Sequence, residues 1–324
     1  MAAELYPLKF EPVYKQIIWG GGNIARKYGR AVPFDKVAES WELTCREDGM
    51  SVVAEGPLRG RTLAGLIGEY GSDLLGKRAA GLYGNSFPLL FKLIDANDRL
   101  SVQVHPDDAY ARAHGEKNGK TEMWYIIDAK NDAKLIYGLE DGVTEASFAG
   151  SVRSGAIGTT LREVPVKPGD FLYIPSGTVH AILDGILLAE IQQNSNTTYR
   201  IYDWNRVGAD GKQRELHIKE ALEVIDFSSA ASKTAEPVKR SGNGYTIRSL
   251  VSSPYFSVDE AEVNGKFAAD TDGCFKVIMN IEGSAVLNWS KGSIPVVSGQ
   301  TVLVPACTGA FEVSGHNRML LTRV

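Results

Sequence analysis

Apolar residues in this chain come mostly in short runs, cut at close intervals by Gly, Pro, Asn and Asp. Segments such as VPVKPGDFLYIP (164–175) and SIPVVSGQTVLVP (293–305) carry the Val/Ile/Leu/Tyr/Phe content of β-strands bounded by turn residues. A 3.6-residue period is rare. It occurs in RTLAGLIGEYGSDLLGKRAAG (61–81), where Leu63, Leu66, Ile67, Leu74 and Leu75 predict a helix, and in RELHIKEALEVIDF (214–227), which predicts a second. The stretch SSAASKTAEPVKRSGNG (228–244) is poor in apolar residues and reads as a linker, with a module on either side.

An internal echo supports two modules. Lys167 to His180 reads KPGDFLYIPSGTVH and Val297 to Ala310 reads VSGQTVLVPACTGA, so Gly169 matches Gly299 and Pro175 matches Pro305. Ala310 stands where the first copy has His180. The first module is therefore expected to be active and the second structural.

Strand geometry puts alternate side chains on one face. Gln103 and His105 in SVQVH then point the same way, as do Lys120 and Glu122 in KTEMWYI, and His180 follows a Pro-Ser-Gly turn at a strand edge. Together Gln103, His105, Glu122 and His180 offer an amide oxygen, two imidazole nitrogens and a carboxylate, a donor set for a divalent ion of the zinc, iron or manganese type. Such an ion would keep about one net positive charge and polarise substrate oxygens. Lys120 and Arg200 are expected at the cavity mouth, although exposed cations or partners of Asp203 and Glu190 account for them equally well. His114, His217 and His316 are assigned structural roles: the end of a short helix, an amphipathic helix and a late turn.

Composition narrows the function. The 324 residues are 44% hydrophobic with 34 glycines, enough for a substantial core. A formal net charge of −4, without long basic runs, gives no footprint for nucleic acid or an anionic membrane. The first residues, MAAELYPLKF, lack a basic segment followed by an apolar run, and the expected location is the cytoplasm. Three widely spaced cysteines, Cys45, Cys274 and Cys307, imply neither a disulfide framework nor a thiolate zinc site, and are expected to be small buried hydrophobes.

FPLLFKLIDANDRLSVQVHPDD, GKTEMWYI, KPGDFLYIPSGTVHAI and NSNTTYRIYDWNR, with ESWEL at 39–43, together resemble the type I phosphomannose isomerases in their short bacterial form. The resemblance covers about residues 12–206 and, more loosely, the C-terminal module. It implies a mainly β protein of two cupin-type jelly-roll barrels with a small helical insertion. The catalytic module would span 1–205, with the insertion near 61–81. A helix and linker would follow over 206–235, then a degenerate cupin-like module over 236–324. The same resemblance implies one zinc on Gln103, His105, Glu122 and His180, with Lys120 and Arg200 as catalytic residues. The substrate would be a sugar phosphate, and the reaction the interconversion of mannose 6-phosphate and fructose 6-phosphate through a cis-enediol. Lys120, Glu190 and a metal-bound water all qualify as the proton-transferring base. Asn196 stands where the short form usually has Asp.

Overall fold

The computed structural model describes residues 4–84, 86–208, 211–228 and 237–324. The chain is mainly β and separates into two compact units, each discontinuous in sequence. One comprises residues 1–13, 41–90 and 235–324, the other residues 14–40 and 91–234. The segment expected as a helical insertion thus belongs to the same unit as the C-terminal strands.

In the first unit an eight-stranded sheet runs in the order Leu8–Lys9, Thr301–Val304, Lys276–Trp289, Ala310–Arg323, Ser257–Asp270, Tyr245–Ser252, Val238–Gly242, with Gly292–Val297 also paired to Lys276–Trp289. Its core gathers Val263, Phe267, Leu287, Val302, Phe311 and Met319. The helix expected over 61–81 is three short ones, Leu63–Tyr70, Ser72–Leu75 and Lys77–Tyr83. Gly71 (φ 46°) and Gly76 (φ 89°) break it, because their backbone conformation is not helical. At Gly76 a side chain is also excluded, since a Cβ would lie 2.2 Å from the Gly273 carbonyl oxygen.

The second unit holds most of the first-module motifs, although Trp41–Leu43 of ESWEL and residues 87–90 of FPLLFKLID count with the first. A five-stranded antiparallel sheet runs Tyr199–Tyr202, Val102–Val104, His180–Ile182, Lys134–Leu139, Leu161–Pro165. A six-stranded sheet runs Val13–Lys15, Glu39–Leu43, Leu89–Ala96, Ile186–Gln193, Glu122–Ala129, Phe171–Ile174. Among the described residues, neither strand order closes on itself. Side chains from both sheets, including Ile94, Trp124, Ile126, Leu135, Ile182 and Leu188, meet in one buried cluster. Val102, Val104 and Ala181 point the opposite way, into a second cluster with Phe148 and Ala221 from the helices Glu145–Ser154 and Ile218–Val224. Strand alternation then turns Gln103 and His180 toward the space between the sheets.

Several expectations change. The helix Glu145–Ser154, capped by Thr144, whose side chain accepts from the Ser147 amide, has too weak an apolar stripe to be seen in the sequence. The helix expected over 214–227 is confined to Ile218–Val224, so His217 sits at its N-terminus rather than within it. His316 lies in the strand Ala310–Arg323, not in a turn. Of the expected linker, residues 229–236 lie outside the described residues, and Val238–Gly242 is a strand. The cysteines are unpaired, but none is fully buried and Cys307 is exposed. The echo is structural: strands Phe171–Ile174 and Thr301–Val304 each follow a glycine at similar positive φ, Gly169 at 87° and Gly299 at 84°.

Candidate metal centre

Cross-strand register assembles the site. His180 pairs directly with Gln103, and Gln103 with Arg200, so the three lie in a row across neighbouring strands. Glu122 begins its own strand opposite Gln192 of Ile186–Gln193. Lys120 precedes that strand, in a turn fixed by its amide donating to the Pro106 carbonyl at 3.0 Å. Gly119 makes the turn possible, because a Cβ there would lie 2.4 Å from the Asp107 carbonyl carbon.

The side chains of His105, Glu122 and His180 converge, with ligand atoms all within 4.8 Å of one another. His105 Nε2 is 3.2 Å from Glu122 Oε1, and His180 Nε2 is 3.8 Å from Glu122 Oε2. All three are buried. Gln103 brings its amide to the same point, 3.3 Å from His180 Nε2. Which amide atom faces inward is set by the hydrogen-bond context, and facing a cation it would be the oxygen. Among the sequence-predicted residues, Lys120 joins the cluster, 2.6 Å from Glu122 Oε1 and 3.2 Å from His105 Nε2. Arg200 lines the same cleft but does not touch the cluster, donating instead from Nη1 to the Glu215 carbonyl at 2.8 Å.

Tautomers follow from the second contact of each ring. His105 Nδ1 lies 2.9 Å from the Thr197 carbonyl oxygen, and His180 Nδ1 lies 2.9 Å from that of Thr178. A carbonyl only accepts, so both Nδ1 atoms carry the proton and both Nε2 atoms present lone pairs. Burial, reinforced by the Lys120 charge, lowers the His105 pKa to about 3, and burial lowers that of His180 as well. Burial alone would raise the Glu122 pKa, but the Lys120 ammonium beside it holds it well below the usual range. Neither Glu122 oxygen has a donor aligned in hydrogen-bond geometry, although Lys120 stands close. Two neutral imidazoles, an amide and an ionised carboxylate with unsatisfied oxygens fit a divalent cation.

Beside this cluster, Glu190, already a candidate base from the sequence, is joined by Lys92, which the sequence reading did not single out. Lys92 Nζ is 2.9 Å from Glu190 Oε1 and 3.6 Å from Glu39 Oε2, and the Trp124 indole donates to Glu190 Oε2 at 2.9 Å. Burial and the charge of Glu122 raise the Glu190 pKa. Burial opposes the Lys92 charge, but Glu190 and Glu39 outweigh it and keep the pKa above its ordinary value. The signal was present: Leu89–Ala96 and Ile186–Gln193 are buried along their whole lengths, so a Lys and a Glu inside them need each other. Lys92, Glu190, Glu39, Gln103, Lys120 and Arg200 all line one polar cleft.

This is the class of a β-sheet protein with a buried imidazole-carboxylate centre beside a charged cleft that Gln103 and Lys120 also line. Residues 7–145 match the phosphomannose isomerase type I catalytic domain, and residues 246–324 match the mannose-6-phosphate isomerase cupin domain. The chain is 40% identical to the mannose-6-phosphate isomerase ManA of Bacillus subtilis (strain 168), over 98% of its own length and 99% of that protein's. It is 35% identical to a mannose-6-phosphate isomerase of Streptococcus mutans, over 95% of each. The crystal structure of a mannose 6-phosphate isomerase from Bacillus subtilis superposes with a TM-score of 0.91 at 36% identity, covering 98% of this chain and 99% of the other. The chain belongs to the type I phosphomannose isomerase family.

Proposed function

We propose that this chain interconverts D-mannose 6-phosphate and D-fructose 6-phosphate through a cis-enediol, with one zinc ion on Gln103, His105, Glu122 and His180. The observation that carries the reading is the pair of buried imidazoles, each with Nδ1–H tied to a carbonyl and its Nε2 lone pair turned toward an ionised carboxylate and the polar groups of Lys120 and Gln103. When bound, zinc supplies Lewis acidity toward the sugar oxygens.

The remaining work falls to the side chains. Isomerisation moves one proton between C2 and C1 while a carbonyl and a hydroxyl exchange places. Glu190, with its pKa raised by burial and by Glu122, is the group suited to take that proton and return it, and Lys92 compensates its charge when ionised. Lys120 and Arg200 place cationic donors along the cleft, where they stabilise oxygen charge as it develops. Such donors act more strongly in a site lined by Trp19, Ile94 and Ile182 than they would in water. In this reading residues 1–205 carry the chemistry on a cupin-type jelly roll and 236–324 form a structural one, within a cytoplasmic enzyme.

Elemental analysis of the purified protein, paired with a mannose 6-phosphate isomerase assay, tests the proposal. Zinc near one per chain and turnover abolished by chelation are expected. Full turnover by metal-free protein would refute the metal's role, and absence of turnover in zinc-loaded protein would refute the activity.

A further inference from the structure

At the end of the cleft where Arg200 lies, two further guanidiniums share one buried carboxylate. Asp203 accepts from Arg214 through both oxygens, Nε to Oδ2 at 2.8 Å and Nη2 to Oδ1 at 2.6 Å, and from Arg206 Nη2 at 2.6 Å. The exposed Asp98 reaches Arg206 at 3.5 Å. Among the described residues no carboxylate lies within 4 Å of Arg200, and its buried Nε has no hydrogen-bond partner. Positive charge is therefore in surplus here. The fork of Asp203 fixes the plane of Arg214 while Nη1 is left out of that pairing, and Arg214 and Arg200 both line the cleft.

The same short segment holds Arg200. Glu215 accepts from its Nη1 at 2.8 Å, the His217 amide donates to its carbonyl at 2.7 Å, and His217 Nδ1 accepts from its amide at 3.3 Å. Residues 214–217 thus stay out of the helix Ile218–Val224 in order to bridge Asp203 and Arg200.

We infer that Arg214 is a specificity-determining residue, whose guanidinium, held by Asp203 and acting beside Arg200, receives the phosphate dianion of the substrate. This deepens the isomerase reading of the cleft and rests on it. The chemistry agrees: a planar fork pre-oriented by a carboxylate presents parallel N–H donors to phosphate oxygens, which a lone ammonium does not. With the phosphate held at the arginine end, the rest of the sugar is directed along the cleft toward Glu190 and the His105–Glu122–His180 cluster.

The test is steady-state kinetics of Arg214→Gln and Arg214→Lys, together with titration of inorganic phosphate into the zinc-loaded proteins by calorimetry. Loss of one charge-assisted contact corresponds to a fall in kcat/KM of about ten- to hundredfold. Most of that fall is expected in KM, with a matching loss of phosphate affinity and partial retention in Arg214→Lys. Asp203→Asn, which leaves the charge of Arg214 but weakens its fixing, should fall between wild type and Arg214→Gln. Unchanged KM and unchanged phosphate affinity in Arg214→Gln, in a protein that still isomerises, overturn the inference while leaving the proposed activity standing. Arg214-dependent phosphate binding in a wild-type protein without isomerase activity would uphold the phosphate site and sink the activity.

Discussion

Replacing Lys92 by Met removes the ammonium that lies 2.9 Å from Glu190 Oε1, while Glu190 stays only 3% exposed. Breaking a buried ion pair from one side costs about 3–5 kcal/mol, because the remaining charge is uncompensated. That is a large part of the roughly 5–15 kcal/mol by which a domain is stable. Glu190 can escape the cost by taking up a proton. Its pKa is already above the ordinary 4.5 when Lys92 is present, and without Lys92 it rises further. The folded form then binds more protons than the unfolded one between pH 4.5 and the raised folded pKa, so stability is full below about 4.5 and falls as pH rises through that window. The slope is about 1.4 kcal/mol per pH unit. Metal-free Lys92→Met should therefore be close to wild type at pH 5 and destabilised by about 3 kcal/mol or more at pH 8, measured by urea unfolding followed through tryptophan fluorescence. Adding Glu190→Gln should recover more than about 1 kcal/mol at pH 8. A loss below about 1 kcal/mol at pH 8, or one of equal size at both pH values, would refute the idea that Lys92 compensates a buried carboxylate.

Zinc should raise the thermal midpoint of the apoprotein, with a gain of about 4 kcal/mol at a thousandfold excess over Kd, and His180→Ala or Glu122→Gln should remove the response. A shift that persists in both variants would place the metal elsewhere. With the His105 pKa lowered from 6.5 to about 3, its contribution is complete above pH 6.5 and is lost as the pH falls toward 3; a metal-free acid titration should show this loss, and His105→Gln should flatten it. Gly119→Ala would set a Cβ 2.4 Å from the Asp107 carbonyl carbon and 2.6 Å from the Asp108 amide nitrogen. Shifting that turn should cost about 1–3 kcal/mol and lower kcat by displacing Lys120, which thermal melts and isomerase kinetics would show together.

Residue type and strand alternation alone were enough to nominate the ligand set. Alternation put Gln103 and His105 on one face, although the strand itself ends at Val104 and His105 follows it, and a histidine and a glutamate among apolar neighbours need partners whatever the fold. His180 carried a further signal, because its aligned counterpart in the second copy is Ala310. Glu190 was named as a candidate base, and Lys92 was just as legible in principle, a charge inside an otherwise apolar strand, but pairing the two required knowing that Leu89–Ala96 and Ile186–Gln193 are neighbours.

The helices read less well. Periodicity found 61–81 but not its breaks, because a glycine's positive φ is a choice made by its surroundings: Gly76 is held where the Gly273 carbonyl leaves no space for a Cβ. In 214–227 the pattern is helical throughout, yet residues 214–217 are drawn off to bond Asp203 and Arg200, contacts that outweigh local propensity. By itself, then, the sequence determined the β character, the echo between modules and the chemical identity of the donors, since these depend on spacing and side-chain type. Only the tertiary structure decided the imidazole tautomers, the Lys92–Glu190 pair and the arginine cluster on Asp203, because each depends on which distant backbone carbonyl or charge comes within about 3 Å, a distance no local pattern encodes.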